Sequence, residues 1–307
     1  RSGYLILGES VRQFEEAFSS YCGVSYGAGV NSGTDALFLA LKALDIGPGD
    51  EVLTVSNTAV PTVAAIVSTG AMPRFADIDP NTYLMDVDQL ESLINEKTKC
   101  ILVVHLFGQC VDMEKINVVA QTHNLFVLED CAQSHGAQQD GKTAGSMSTA
   151  AAISFYPTKI LGTFGDGGMV ITDDESLMQR LRRLRKYGME KNYYSEEHGY
   201  NSRLDELHAE ILLNKLTRLN LYIEKRRAIA DRYHELLKNS SLLLPKTAPN
   251  NLHAYYLYVC RHPNRDLIIK KLAEHEILVN VSYPWPIHTM QGYDWLGYKD
   301  GDLPHTE

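Results

Sequence analysis

The sequence predicts an α/β fold: a large domain on a mostly parallel central sheet, then a smaller α+β C-terminal domain. Three observations carry this. Short apolar runs alternate with helix-period segments through the first two-thirds of the chain. Cys100–Leu106 is apolar on both faces, as buried parallel strands are. Near Arg203 the alternation gives way to a long helical stretch. At 307 residues and 44% apolar content, a large core and one or two domains are within reach.

Taken in order, Val11–Tyr21 has apolar residues at helical spacing, and Thr34–Leu44 repeats it through Leu37, Leu39, Leu41 and Leu44. Glu51–Val55 reads as a strand, Pro61–Thr69 as a helix and Met72–Asp77 as a strand. Val87–Leu93 is helical with Asp86 as N-cap. The buried strand Cys100–Leu106 precedes a helix at Met113–Thr122. A second buried strand, Leu125–Glu129, ends in Asp130. Ala152–Phe155 and Gly168–Thr172 are strands, and Ser176–Tyr187 is a basic helix. Beyond residue 203 we expect a helix over Leu204–Leu237, a Pro/Asn-rich segment, a strand at Tyr255–Val259, a helix at Arg265–Glu276 and a strand near Ile277–Val281. The expected domains are therefore 1–203 and 204–307.

The formal charge of −9 is spread without any basic run, which argues against nucleic acid as a partner. Five cysteines, an odd number without CxxC spacing, read as reduced thiols of a cytoplasmic protein. The sequence has no apolar run long enough to span a membrane and no visible signal peptide. It opens without methionine and stops at Pro304-His305-Thr306-Glu307 in mid-element, so trimming at both ends is expected.

The chemistry centres on Ser154-Phe155-Tyr156-Pro157-Thr158-Lys159-Ile160-Leu161-Gly162-Thr163-Phe164-Gly165-Asp166-Gly167-Gly168. A lysine flanked by Phe155, Tyr156, Ile160 and Leu161 is expected to be partly desolvated, which disfavours the ammonium and makes a nucleophilic amine suited to Schiff-base chemistry. The same stretch also suits a surface lysine beside a tight turn. The glycines that follow imply either unusual backbone angles or close approach to another group.

Two further stretches bear on the choice. Asn31-Ser32-Gly33-Thr34-Asp35-Ala36-Leu37 follows a strand and opens a helix, so its free N–H groups make an anion site; an ordinary N-cap explains it too. Glu129-Asp130-Cys131-Ala132-Gln133-Ser134-His135-Gly136 places an acid at the end of a buried strand, where it needs a cation. Glu129 and His135 lie six positions apart across a loop, so a metal site is disfavoured. An amine, a buried acid and a phosphate-binding helix start are together what pyridoxal phosphate requires.

These motifs resemble the DegT/DnrJ/StrS family of pyridoxal-phosphate-dependent nucleotide-sugar aminotransferases. The resemblance extends through Gly3–Gly8, Val104-His105-Leu106-Phe107-Gly108-Gln109, Gly199–Glu206 and Tyr283-Pro284-Trp285-Pro286-Ile287-His288, in order and over nearly the whole chain. It implies a fold-type I transferase, a keto-sugar nucleotide as substrate, L-glutamate as donor and a homodimer with shared sites. It makes Lys159 the internal-aldimine lysine and catalytic base. Asp130 would face the pyridine nitrogen, and Gln133 the ring and its 3-hydroxyl. Gly33, Thr34 and Ser154 would hold the phosphate, with Asn201 reaching the phosphate of the neighbouring subunit. Tyr283, His288 and Arg203 would line the sugar-nucleotide cleft. On the residues alone, Tyr283 and His288 suit a packed proline-rich loop equally well, and Arg203 a solvated charge.

One departure stands out. Many relatives carry a ring-stacking aromatic in the segment Asn57–Thr62, where this chain has Ala59. Two rival readings are a sugar dehydratase, which replaces the lysine by histidine, and a non-catalytic regulatory homologue. The intact Lys159, Asp130 and Gly33-Thr34 set argues against both.

Overall fold

In the computed structural model, residues 3–191 and 193–307 are described. Helix α1 (Glu9–Cys22) leads into β1 (Tyr26–Val30), α2 (Gly33–Ala43), β2 (Glu51–Val55), α3 (Val60–Thr69) and β3 (Met72–Ala76). Then come α4 (Leu90–Leu93), β4 (Thr98–Val104), α5 (Met113–His123), β5 (Phe126–Asp130) and the two-residue strands β6 (Gln138–Gln139) and β7 (Lys142–Thr143). Strands β8 (Ala150–Ser154) and β9 (Gly168–Thr172), helix α6 (Glu175–Leu184) and a small hairpin of β10 (Met189–Lys191) with β11 (Tyr194–Ser195) follow. The remainder holds α7 (Glu206–Leu216), α8 (Leu219–Leu237), β12 (Asn251–Leu252) and α9 (Arg265–Glu274).

The seven-stranded sheet runs β1-β9-β8-β5-β4-β2-β3. Its neighbours pair in parallel except around β9, which is antiparallel to both β1 and β8. Strands β8 and β9 are buried along their whole length, because helices cover both faces of the sheet. The chain leaves β2 toward one edge and returns through β4 on the other side. That reversal puts a crevice at the carboxyl ends of β2, β4, β5 and β8.

Two long-range devices fix the N-terminal helix. The N-cap of α1 is Gly8, which has no side chain to cap with. Glu206 on α7 supplies the missing acceptor: its carboxylate takes the N–H groups of Gly8 (2.8 Å), Ser10 (3.0 Å) and Val11 (2.9 Å). The buried Glu15 carboxylate pairs with Arg185 and also accepts the Gly29 N–H, tying α1, β1 and the end of α6 together. Removing one partner of such a pair costs about 3–5 kcal/mol, since the other charge is left buried alone.

The predicted elements of the first two-thirds form, with ends shifted by up to three residues (the basic helix ends at Leu184, not Tyr187), and Val87–Leu93 begins as a 3-10 turn capped by Asp86 before α4. Three expectations beyond residue 203 are corrected. The helix over Leu204–Leu237 is two helices, broken at Thr217–Arg218. Tyr255–Val259 is not a strand. Tyr255 is left-handed (φ 47°), and its neighbours bond elsewhere: Ala254 N–H to the Gly108 carbonyl (2.7 Å) and Leu257 N–H to that of Phe107 (3.3 Å). Ile277–Val281 forms no strand either; Ile277 N–H bonds back to Leu272 at the end of α9, and no ladder partner lies beside the segment among the described residues. No helix among these residues is long and apolar enough to cross a membrane.

Candidate active site

The crevice gathers its groups from strand ends and helix starts. Ser32 caps α2, its hydroxyl accepting the Asp35 N–H at 3.1 Å. Gly33 and Thr34 therefore form the first turn of an 11-residue helix whose positive end faces the end of β8. A Cβ on Gly33 would stand 2.6 Å from the Ser154 Cβ, and one on Gly168 would stand 2.2 Å from the Ser32 carbonyl oxygen. Close approach, not left-handed backbone, is what makes these positions glycine. Gly33 is thus packed directly on Ser154, and with Thr34, the next residue of the helix start, they line one cradle. An anionic phosphate fits it through free N–H groups and hydroxyls.

Asp130 ends β5 and is buried. Its carboxylate accepts the Ala132 N–H (3.1 Å) and the Thr62 hydroxyl (2.8 Å); Thr62 in turn contacts the Thr58 hydroxyl at 2.9 Å. Burial raises its pKa above the ordinary aspartate value, against the pull of these donors and of the Lys159 charge. A carboxylate held by two neutral donors in a dry place is short of a cation. A protonated pyridine nitrogen would supply it.

The amine comes from the loop after β8. Phe155 N–H donates to Gly167, Thr163 N–H to Phe155 and Lys159 N–H to Tyr156, at 2.8, 2.8 and 2.9 Å. The Lys215 ammonium on α7 donates to the Gly162 carbonyl and lies 5.2 Å from the Phe164 ring centroid. Lys159 is half-buried. The side chains beside it in sequence do not enclose it: Phe155 turns into the core and meets Phe14 and Phe18 edge-on, while Tyr156 is half-exposed. The ring that meets the amine is Tyr256, 4.6 Å from Nζ to centroid, from a segment read in the sequence as a strand.

Gln133 is buried and bridges two aromatic residues. Its Oε1 accepts the Phe107 N–H (2.9 Å), and its Nε2 donates to the Tyr283 hydroxyl (2.5 Å). Tyr283 stacks on Phe107 with centroids 6.0 Å apart, and burial pushes its phenol up to about 12 despite the Gln133 bond. Tyr283 therefore lies beside Gln133 and Phe107. His288 takes the packed role instead of the cleft: its Nδ1 meets the Ser56 hydroxyl (2.8 Å), its Nε2 the Glu307 carboxylate (3.0 Å), and the side chain is fully buried. Arg203 stacks over Tyr187 at 5.6 Å. Asn201 is exposed, opposite Lys186, and the adjoining Ser202 hydroxyl accepts the Asn31 N–H at 3.2 Å. Ala59 is the N-cap of α3, whose first turn contributes Thr62 to Asp130 and no aromatic ring.

Among the described residues His105, Glu129 and Cys131 form a compact buried group of metal-ligand type. Their lone pairs are already used. Glu129 accepts from His105 Nε2 (2.8 Å), Gly145 N–H (2.7 Å), Met147 N–H (3.0 Å) and the Ser148 hydroxyl (2.7 Å), while His105 Nδ1 accepts the Val111 N–H (3.1 Å). Burial drives the Cys131 thiol far above its ordinary value, so no thiolate is on offer. The group braces the strand ends beneath Asp130.

Sequence reasoning missed Thr62, Lys215 and Tyr256, which reach the site only through tertiary contacts. It weighed His135 only as a disfavoured metal ligand and gave no role to His253; both are buried and both are lowered to about 3. Burial is the larger cause in each case; the second is the Lys159 charge for His135, whereas for His253 a bond to Gly108 works against the shift. Their folded values lie below the unfolded value of 6.5, so folding excludes a proton that the unfolded chain binds. Stability is then complete above pH ~6.5 and falls as pH drops toward 3, by about 1.4 kcal/mol per pH unit for each ring. Urea midpoints measured between pH 7 and 5 should fall; a flat profile would show that these rings are not held neutral.

The sequence profile of the DegT/DnrJ/EryC1/StrS aminotransferase family matches residues 1–307. A dTDP-3-amino-3,4,6-trideoxy-alpha-D-glucose transaminase of Micromonospora megalomicea subsp. nigra is 52% identical over 312 residues, spanning 100% of this chain and 83% of the relative. The crystal structure of Streptomyces venezuelae DesV in complex with a ketimine intermediate superposes with a TM-score of 0.98 at 40% identity, covering 99% of this chain and 82% of that one. NtdA of Bacillus subtilis with bound cofactor PMP superposes at 0.91 and 33% identity, over 99% and 71%. The fold is that of these enzymes, and the Gly33–Ser154 cradle and the cation-seeking Asp130 fit pyridoxal phosphate. The chain belongs to the DegT/DnrJ/EryC1/StrS aminotransferase family.

Proposed function

We propose that this aminotransferase moves an amino group from L-glutamate to the keto carbon at C3 of a dTDP-linked deoxysugar, working in the cytoplasm as a homodimer. The observation that carries the reading is the meeting of Gly33, Ser154, Asp130 and Lys159 at the carboxyl ends of the central strands β5 and β8. The substrate class follows the relatives at 52% and 40% identity. Exposed Asn201 and the exposed apolar side chains Tyr4, Leu5, Phe164 and Leu207 support a second subunit over the site.

When bound, the cofactor supplies an electron sink for the carbanion formed at the amino carbon. This chain's residues do the rest. Gly33, Thr34 and Ser154 anchor the phosphate, and Asp130, steadied by Thr62, holds a proton on the pyridine nitrogen. Lys159 Nζ takes the proton from the donor's Cα and returns it two atoms away, on the carbon across the nitrogen, as a general base must. Gln133 and Tyr283 form a hydrogen-bonded wall beside the ring position.

A panel of dTDP-, UDP- and GDP-linked 3-keto and 4-keto sugars, with L-glutamate as donor, tests the assignment. The dTDP-linked 3-keto sugar should lead in kcat/KM by about 10-fold or more. A UDP-linked or 4-keto sugar in first place would contradict it.

A further inference from the structure

We infer that Tyr256 is a positioning residue for the known reaction: its ring receives the Lys159 amine whenever Nζ is not bonded to the cofactor. The inference rests on Lys159 being the cofactor-binding lysine. Lys159 Nζ lies 4.6 Å from the Tyr256 centroid, within the range where an ammonium is drawn to the face of a ring. The Tyr256 hydroxyl also stands 3.3 Å from the hydroxyl of Thr158, the residue just before the lysine, so the same side chain meets both.

The ring is held for this purpose by backbone it does not share with the lysine loop. Arg226 on α8 donates to the carbonyls of Tyr255 and Tyr256, both at 3.1 Å. The N–H groups on either side, of Ala254 and Leu257, bond to Gly108 and Phe107. Gly108 (φ 110°) lies so close that a Cβ there would stand 2.9 Å from the Tyr256 nitrogen. Tyr255 sits in the left-handed region at φ 47°. A segment bound this tightly, with a bulky residue in a disfavoured conformation, presents a side chain at one fixed place. That place is over Nζ.

The consequence is kinetic. Transamination frees the lysine in each half-cycle, and the amine then accepts a proton and becomes an ammonium. A ring face favours the charged product of that step and keeps the amine from swinging into water. An apolar side chain without a π face does neither.

The test compares Tyr256→Phe, which keeps the ring, with Tyr256→Met and Tyr256→Leu, which do not. In the form loaded with pyridoxamine phosphate, where Nζ is free, brief acetylation followed by mass spectrometry reads Lys159 against exposed Lys97. Acetylation of Lys159 should rise several-fold in the Met and Leu variants and stay at the wild-type level in the Phe variant. The single-turnover rate with L-glutamate should fall about 10-fold in the first two and by less than about 2-fold in the third. Equal behaviour of the Phe and Met variants, or no change in any, would overturn the role of the ring. Borohydride reduction of the pyridoxal-phosphate form separates the two claims: a pyridoxyl group on some lysine other than Lys159 would overturn the underlying assignment, whatever acetylation shows. Thermal denaturation confirms that each variant is folded, and two ringless variants guard against failure of one.

Discussion

Replacing Lys159 by alanine is expected to lower turnover by about 10⁴-fold or more, because in the proposed mechanism one amine serves as covalent anchor and as proton carrier. Cofactor affinity should fall far less. The proposed phosphate cradle of Gly33, Thr34 and Ser154 and the carboxylate of Asp130 lie on strand and helix ends that this substitution does not touch. Stopped-flow absorbance with L-glutamate reads the first effect, and equilibrium titration with pyridoxal phosphate the second. Retained turnover in the alanine variant would remove Lys159 from the chemistry.

The second large effect is at Asp130. Asp130→Asn keeps the shape, and the Thr62 hydroxyl can turn to accept from the new amide. The variant should bind pyridoxal phosphate about 10² to 10³-fold more weakly, since it loses a buried charge partner. Stability of the cofactor-free protein should move the other way. The folded-state pKa of Asp130 is raised, so the folded protein holds this proton more tightly than the unfolded chain. Its carboxyl therefore weakens folding as pH rises above the unfolded value near 3.8. At pH 7 the neutral asparagine avoids that penalty, and cofactor-free Asp130→Asn should melt at or above the wild-type temperature. A lower melting temperature together with unchanged cofactor affinity would mean that Asp130 is a structural acid and not a partner for the pyridine nitrogen.

These two residues stand out as candidates in the sequence for a physical reason. A buried parallel strand is an unbroken apolar run, so an acid at its end, like Asp130 after Phe126–Glu129, stands out against its surroundings. A lysine between an apolar strand and a glycine-rich turn stands out in the same way. The start of α2 was readable because N-caps obey local rules, and Ser32 follows them.

The rest depended on contacts that local pattern does not carry. The apolar run around Lys159 suggested that its neighbours enclose it. Instead Phe155 serves the core, and Tyr256, 97 positions after Lys159, meets the amine. Thr62 looked like an ordinary residue in the first turn of α3, and only the position of that helix against β5 sends its hydroxyl to Asp130. Tyr255–Val259 has the composition of a strand, but its backbone groups are claimed by the Phe107–Gly108 turn and by Arg226. His288 carried two expectations, and burial between Ser56 and Glu307 decides for packing. Composition could not decide it, because both ring nitrogens find partners far away in sequence.

The glycines after Lys159 gain a narrower meaning. None adopts a left-handed backbone. Gly168 lets β9 pass against Ser32, which brings the start of α2 to the end of β8. The glycine-dense stretch therefore shapes the proposed phosphate cradle at second hand, by allowing Ser154 and Gly33 to touch.

The most direct measurement of the central claim is borohydride reduction of the protein saturated with pyridoxal phosphate, followed by peptide mapping. The account predicts a single pyridoxyl-lysine, in the peptide containing Lys159, and its absence when L-glutamate is added before the reductant. A pyridoxyl group on another lysine, or none at all, would contradict it.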